Sequence, residues 1–127
     1  MRDISRPFLH AVSDASVLGK AVLRAAERLD LSNTALAKIL GLSGPTITRL
    51  RQGSYTIEQG DKAFELAALF VRLYRSLDAI VGGDDAVAAQ WLKNENIALR
   101  DKPANLIQKV TGLVDVLHYL DARRALS

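Results

Sequence analysis

The sequence predicts an all-α protein. Aliphatic residues recur at three- and four-residue spacing through most of the chain, and no stretch alternates apolar with polar residues as a half-buried strand does. Glycines and short polar capping residues punctuate those runs at intervals that suit helices of ordinary length. Aromatic residues are only 6% of the chain against a hydrophobic fraction of 49%, so the core must be aliphatic. At 127 residues the chain has the length of one domain, or of two very small ones sharing a core.

Residues 1–14 lack clear periodicity, and Pro7 with its small polar neighbours predicts an arm. Ala15–Asp30 is expected as a helix: Asp14 or Ser16 can cap it, and Val17 or Leu18, Ala21 or Val22, Ala25 and Leu29 follow its inner i, i+4 rhythm. Ser32 is placed to cap a second helix, Asn33–Leu40, which Gly41 ends where a positive φ is needed. Ser43 is placed to cap a third, Gly44–Gln52, with Pro45 tolerated in its first turn and Gly53 as its stop. A long fourth helix is expected from Thr56 or Ile57 to Ile80. Its stripes, Leu66/Phe70/Leu73/Leu77 and Phe64/Ala67/Val71/Tyr74, require a partner on each of two sides. One is the preceding bundle; the other is the C-terminal segment or a second subunit.

Gly82-Gly83 breaks the chain. Asp84 or Asp85 then caps a helix running through Trp91 and Leu92, Lys93–Lys102 is polar and irregular, and Pro103 starts a short helix to about Lys109. Thr111 is expected to cap a last helix with Leu113, Val116, Leu117 and Leu120 on its inner face. The expected organisation is thus an arm (1–14), a helical unit with a long connecting helix (15–80) and a small helical C-terminal domain (81–127).

Composition narrows the function. With no cysteine, disulfides and thiolate metal sites are excluded, and a reducing cytoplasm is the expected compartment. The N-terminus has no long apolar run after its basic residues, which argues against a secretory signal. Phe64–Tyr74 is too short and too charged to span a bilayer, so no membrane partner is expected. Residues 1–75 carry 11 Lys/Arg and 7 Asp/Glu, net +4; residues 76–127 carry 6 and 7, net −1. The positive excess therefore accompanies the first unit, as binding to phosphates requires. His10 and His118 are the only histidines. No paired-histidine, phosphate-loop or nucleophile motif is present, so neither an enzyme nor a cofactor is expected. Asp84-Asp85 is read as a cap rather than a metal site.

The stretch Ser32–Gly53 has the spacing of a helix-turn-helix. Ala37 is small where the two helices approach, Gly41 follows in the turn, and Ile47 and Leu50 return to the core beside Leu36 and Leu40. In that register Gly44, Pro45, Thr46, Thr48 and Arg49 face outward, toward the major groove of a bound duplex. Arg49 suits a guanine or a phosphate; Thr46 and Thr48 suit a thymine methyl or a phosphate. Lys38, Arg51, Gln52 and Tyr55 are candidate backbone contacts, with Asn33 and Ser43 at the helix starts completing the candidate DNA-binding set.

On these residues the chain resembles Xre-type regulators with a Cro-like helix-turn-helix. That family usually carries a polar residue, often Gln, at the positions of Asn33 and Gly44; Asn33 is a near match and Gly44 departs. The C-terminal half resembles the toxin-binding domain of Xre/ParS/MbcA antitoxins. The match lies in Ala89-Gln90-Trp91-Leu92, Asn96, Ala98-Leu99, Pro103, Leu106 and Gly112-Leu113 with Val116 and Leu120. The resemblance covers about Val17 to the C-terminus. It implies an all-α bundle of Cro/Xre type followed by a small helical toxin-binding domain.

It further implies an antitoxin that binds a cognate RES-domain, NAD-consuming toxin and covers its active-site entrance. Such proteins repress their own promoter, dimerise and form higher-order toxin–antitoxin complexes. The residues placed toward the toxin are Trp91, Asn96, Leu99, His118, Asp121, Arg123, Arg124 and Ser127. Several have a plainer reading beside this one. Trp91 is core or an interface anchor. Asn96 and Leu99 shape a turn or touch the toxin. Arg123 and Arg124 favour a helix C-terminus, or one of them takes the place of a cofactor phosphate in the toxin's pocket. The alternative for the whole chain is a plain Xre-type regulator whose C-terminal half dimerises or senses a ligand.

Overall fold

The computed structural model describes the backbone of residues 6–126 and the side chains of residues 15–126. Over these residues the chain forms seven helices and no strand: α1 (Arg6–Arg28), α2 (Asn33–Leu40), α3 (Gly44–Gln52), α4 (Lys62–Ile80), α5 (Asp85–Lys93), α6 (Pro103–Leu106) and α7 (Val110–Ala125). The all-α expectation holds.

The first helix is longer than its periodicity predicts. It begins at Arg6, so residues 6–14 of the expected arm are helical, while residues 1–5 lie outside the described residues. Pro7 is compatible with this because a first-turn residue donates no helical hydrogen bond. The helix also stops at Arg28 rather than Asp30. Asp30 adopts φ 55°, and the Leu31 amide turns back to the Ala26 carbonyl at 2.9 Å. Aspartate tolerates that left-handed conformation better than most residues.

The two short helices that follow are closed by the residues expected. Ser32 Oγ accepts from the Ala35 amide at 3.0 Å, and Ser43 Oγ accepts from the Thr46 amide at 3.2 Å. Gly41 turns the chain between them at φ 67°, a region that disfavours any residue with a Cβ. Leu36, Leu40 and Ile47 are fully buried in one core cluster with Leu29, just past the end of α1, and Phe70 of α4.

The fourth helix starts later than expected, at Lys62. Gly60 at φ 97° breaks helical continuation, and Asp61 is extended. Ile57 is nonetheless fully buried, so the apolar rhythm there belongs to an anchored loop. Both predicted stripes of α4 are used. The helix packs against α1 and α2 on one side and α7 on the other, which identifies the C-terminal segment as its second partner. Leu73 and Leu77 are sealed, and Phe64, half-buried, faces an open groove.

Past Gly82 and Gly83, both at positive φ, Asp84 Oδ1 caps α5 through the Val87 amide at 3.2 Å. The irregular segment before α6 is a braced turn. Asn96 Oδ1 accepts from the Leu99 amide at 3.0 Å, the Asn96 carbonyl accepts from the Arg100 amide at 2.7 Å, and Arg100 sits at φ 67°. Thr111 does not cap the last helix. Lys109 precedes it without a side-chain cap, and Thr111 lies inside the first turn. The reason is the tight junction with α6: the Lys109 amide bonds the Leu106 carbonyl at 3.2 Å, and Gly112 lies directly against Leu106. A Cβ on Gly112 would stand 2.0 Å from that carbonyl oxygen, so only glycine lets the two helices meet. The predicted inner face of α7, Leu113, Val116, Leu117 and Leu120, is buried.

Candidate functional site

The helix-turn-helix presents α3 with Gly44, Pro45, Thr48 and Arg49 exposed, because Ile47 and Leu50 at spacing i, i+3 pull its other face into the core. The exposed polar groups are ordered by one another. Ser43 and Thr46 share a hydroxyl hydrogen bond at 2.8 Å, and Arg49 Nη2 donates to Thr46 Oγ1 at 3.1 Å. Arg49 is thereby held along the start of the helix, the end that enters a major groove. Thr48 turns its hydroxyl back to the Gly44 carbonyl at 3.4 Å, which leaves its methyl group as its outward feature. Gly44 is open, with nothing within 4 Å of where a Cβ would lie. Its lack of a side chain is therefore no steric requirement of the fold.

Asn33 and Arg51, both placed in the candidate DNA-binding set, meet each other: Arg51 Nε donates to Asn33 Oδ1 at 2.8 Å. The bond ties the start of α2 to the end of α3 and fixes both side chains on one surface. Lys38 and Gln52 are exposed at the ends of their helices, and Tyr55 is half-buried against the core.

The C-terminal candidates divide between two surfaces. Trp91 of α5 packs against the edge of the core and stacks on Tyr119 of α7, ring centroids 6.2 Å apart and 22° between planes. It is neither sealed nor free. Arg123 lies over the same tyrosine, its guanidinium 5.6 Å from the ring centroid and Nη1 donating to the phenol oxygen at 3.3 Å. Tyr119 was not among the sequence candidates; its i, i+4 spacing to Arg123 was the available signal.

The second surface is where α7 meets α4. Asp121 accepts from Arg72 Nη2 at 2.7 Å and from the hydroxyl of buried Ser76 at 2.8 Å. Arg124 Nη1 donates to the same serine at 3.4 Å. The adjacent arginines thus diverge, Arg123 toward Tyr119 and Arg124 toward α4. His118 is exposed, Asn96 and Leu99 build the turn before α6, and Ser127 lies outside the described residues. Arg72 and Ser76, 49 and 45 residues from Asp121, gave no local sign of this role.

Further polar links join the end of α1 to the helices after it. Arg28 Nη1 donates to Tyr74 Oη at 3.0 Å, with Asp85 3.9 Å from its Nε. The hydrogen bond to Tyr74, aided by the charge of Asp85, raises the Arg28 pKa above its ordinary value. Asp30 pairs with Lys93, and the hydrogen bond and charge of that ammonium hold its carboxyl below the usual range. Among the described residues no group of histidines and carboxylates is placed to hold a metal ion, and no helix is long and apolar enough to cross a membrane.

Comparison with known families matches the two parts of the chain in order. Residues 8–72 match the antitoxin Xre-like helix-turn-helix domain, and residues 76–125 match the antitoxin Xre/MbcA/ParS C-terminal toxin-binding domain. Neither is an enzyme family. A search of curated proteins finds no match. With the first family spanning more than half of its length and the second following directly, the chain belongs to the Xre-type antitoxins, pairing a helix-turn-helix with a toxin-binding domain.

Proposed function

We propose that this antitoxin neutralises a RES-domain toxin that consumes NAD, and that it represses its own operon through the helix-turn-helix. The observation that carries the reading is the order of the two matched families in one chain, DNA-binding unit first and toxin-binding unit last. The C-terminal end of α7, from Asp121 onward, is the part assigned to the toxin's active-site entrance, with Arg123 or Arg124 taking the place of a cofactor phosphate through charge-assisted hydrogen bonds. Trp91, Asn96, Leu99 and His118 belong to the same toxin-facing domain. A cytoplasmic setting and a homodimer, assembled with toxin into a larger complex, complete the proposal.

On the DNA side, Arg49 is the principal base or phosphate contact, with Thr46 and Thr48 beside it and Lys38, Arg51, Gln52 and Tyr55 toward the backbone. Gly44 and Pro45 offer no hydrogen-bonding side chain, so base readout is sparse and two copies on adjacent half-sites supply the affinity. Coexpression with the product of the neighbouring reading frame tests the proposal. A stable complex that preserves cellular NAD, together with promoter binding that weakens steeply as salt rises, is expected. A neighbour of unrelated fold, or NAD loss despite complex formation, rejects the toxin assignment; salt-independent binding rejects the DNA one.

A further inference from the structure

Resting on the toxin-binding reading above, we propose that the groove between α1, α4 and α7 seats an acidic amphipathic helix of the toxin. The groove encloses about 860 Å³. Its floor is one stripe of α4, with Phe64, Ala68, Val71 and Arg75 at i, i+4, i+7 and i+11. Eleven residues of rise give it a length of about 17 Å, three turns of a docked helix. Val17 and Ala21 of α1 continue the apolar surface on one flank, and Val17 is 59% exposed although it is a branched aliphatic residue.

The charge of the rim selects the occupant. Arg72, Arg75 and Arg124 line the groove, and a neighbouring hollow that shares Val17, Ala21, Val71 and Arg75 adds Lys20 and Arg24. Among the described residues that line the groove the one carboxylate, Asp121, is already engaged by Arg72 and Ser76. Among the described residues the side chains of Lys20, Arg24 and Arg75 make no hydrogen bond or ion pair. A second copy docking through a two-fold axis would set this cationic rim against itself. A DNA backbone would satisfy the arginines and leave the apolar floor wet. A helix with aliphatic residues on one face and carboxylates beside them matches both.

The location fits a toxin contact. Asp121 and Arg124 belong to the segment matched to the toxin-binding domain, and the opposite wall belongs to the segment matched to the helix-turn-helix. An occupant therefore touches both parts and braces α7 against α1.

The test uses the full chain with two substitutions, Ala68→Trp, which fills the floor, and Arg75→Glu, which reverses the rim. Both residues are exposed on α4, so melting temperatures should stay near that of the parent. Affinity for the RES-type toxin is expected to fall at least tenfold in each variant, and the affinity of Arg75→Glu should depend less on salt. Parent-like toxin affinity in both variants overturns the proposal. So does a parent dimer that Ala68→Trp converts to monomers while toxin binding persists, which would assign the groove to a second copy. Loss of operator affinity alone would assign it to DNA. If the parent chain itself binds no RES toxin, the failure lies with the toxin reading rather than with the groove.

Discussion

Replacing Gly112 by alanine puts a methyl group where the fold has no room for one. The added carbon would lie 2.0 Å from the Leu106 carbonyl oxygen, 2.7 Å from its carbonyl carbon and 3.1 Å from its Cα. An ordinary carbon–oxygen contact is about 3.3 Å, so α6 and α7 would have to separate by roughly 1.3 Å. Pro103 and Ile107 are buried on either side of that contact, and the Leu106 carbonyl also accepts the Lys109 amide, so the shift cannot stay local. Alanine's better helix propensity returns about 1 kcal/mol. Overpacking against backbone and disturbance of the seam outweigh it, for a net loss of about 2–3 kcal/mol. In a chain of this size that lowers the melting temperature by roughly 6–15 °C. Gly19→Ala is the matched control. A Cβ there meets only the Leu50 side chain, at an ordinary 3.5 Å, so the variant should gain about 0.5–1 kcal/mol from propensity alone. Thermal and urea unfolding of both variants decide the matter. A Gly112→Ala protein that melts at or above the parent temperature refutes the close-approach argument.

Arg49→Ala should weaken operator binding by about 1–3 kcal/mol, roughly 5- to 150-fold, in an electrophoretic mobility assay. Toxin affinity should not move; if it does, α3 lies in the toxin interface. Deleting residues 122–127 should abolish protection of cellular NAD, and undiminished protection would remove the tail from the mechanism. Asp121→Ala removes the acceptor shared by Arg72 and Ser76 and should cost about 1–2 kcal/mol in urea unfolding, discounted because Arg72 is largely exposed. An unchanged midpoint would mean that α7 is held by its apolar face alone. Asp30→Asn keeps a residue that tolerates positive φ but loses the charge facing Lys93. The Asp30 carboxyl is held below its ordinary value, so its contribution is present above the unfolded carboxylate pKa and lost as pH falls through the folded one. The stability difference between the two proteins should therefore be flat near neutrality and shrink below about pH 4; a gap that widens on acidification contradicts the pairing.

What was legible in the sequence was local. The caps at Ser32, Ser43 and Asp84, the turn at Gly41 and the inner residues Ile47 and Leu50 all act within a few positions of themselves, so spacing alone placed the helix-turn-helix and the start of α5. Misplaced starts arose where two local signals competed. Ile57 has the apolar character of the helix that follows, but Gly60 stops that helix from reaching it. Thr111 is a good cap by type, yet the contact between Gly112 and Leu106 sets where α7 begins. The candidate site was harder to read because its organisation is long-range. Nothing near Asp121 points to Arg72, and nothing near Asn33 points to Arg51. Both pairings depend on how the helices pack, which single-residue chemistry does not encode.

The border between the two matched families, after residue 72 and before residue 76, falls in the middle of α4. No linker is there to be cut, swapped or lengthened. A fragment ending at that border would lose Ser76, Leu77 and the last turns of a helix buried on two sides, and so uncover the core that they seal. The halves thus match different families but are mechanically one: an exchange of either half at that border would have to preserve the phase of one continuous rod. Point substitutions, not truncations, are the means of separating their duties.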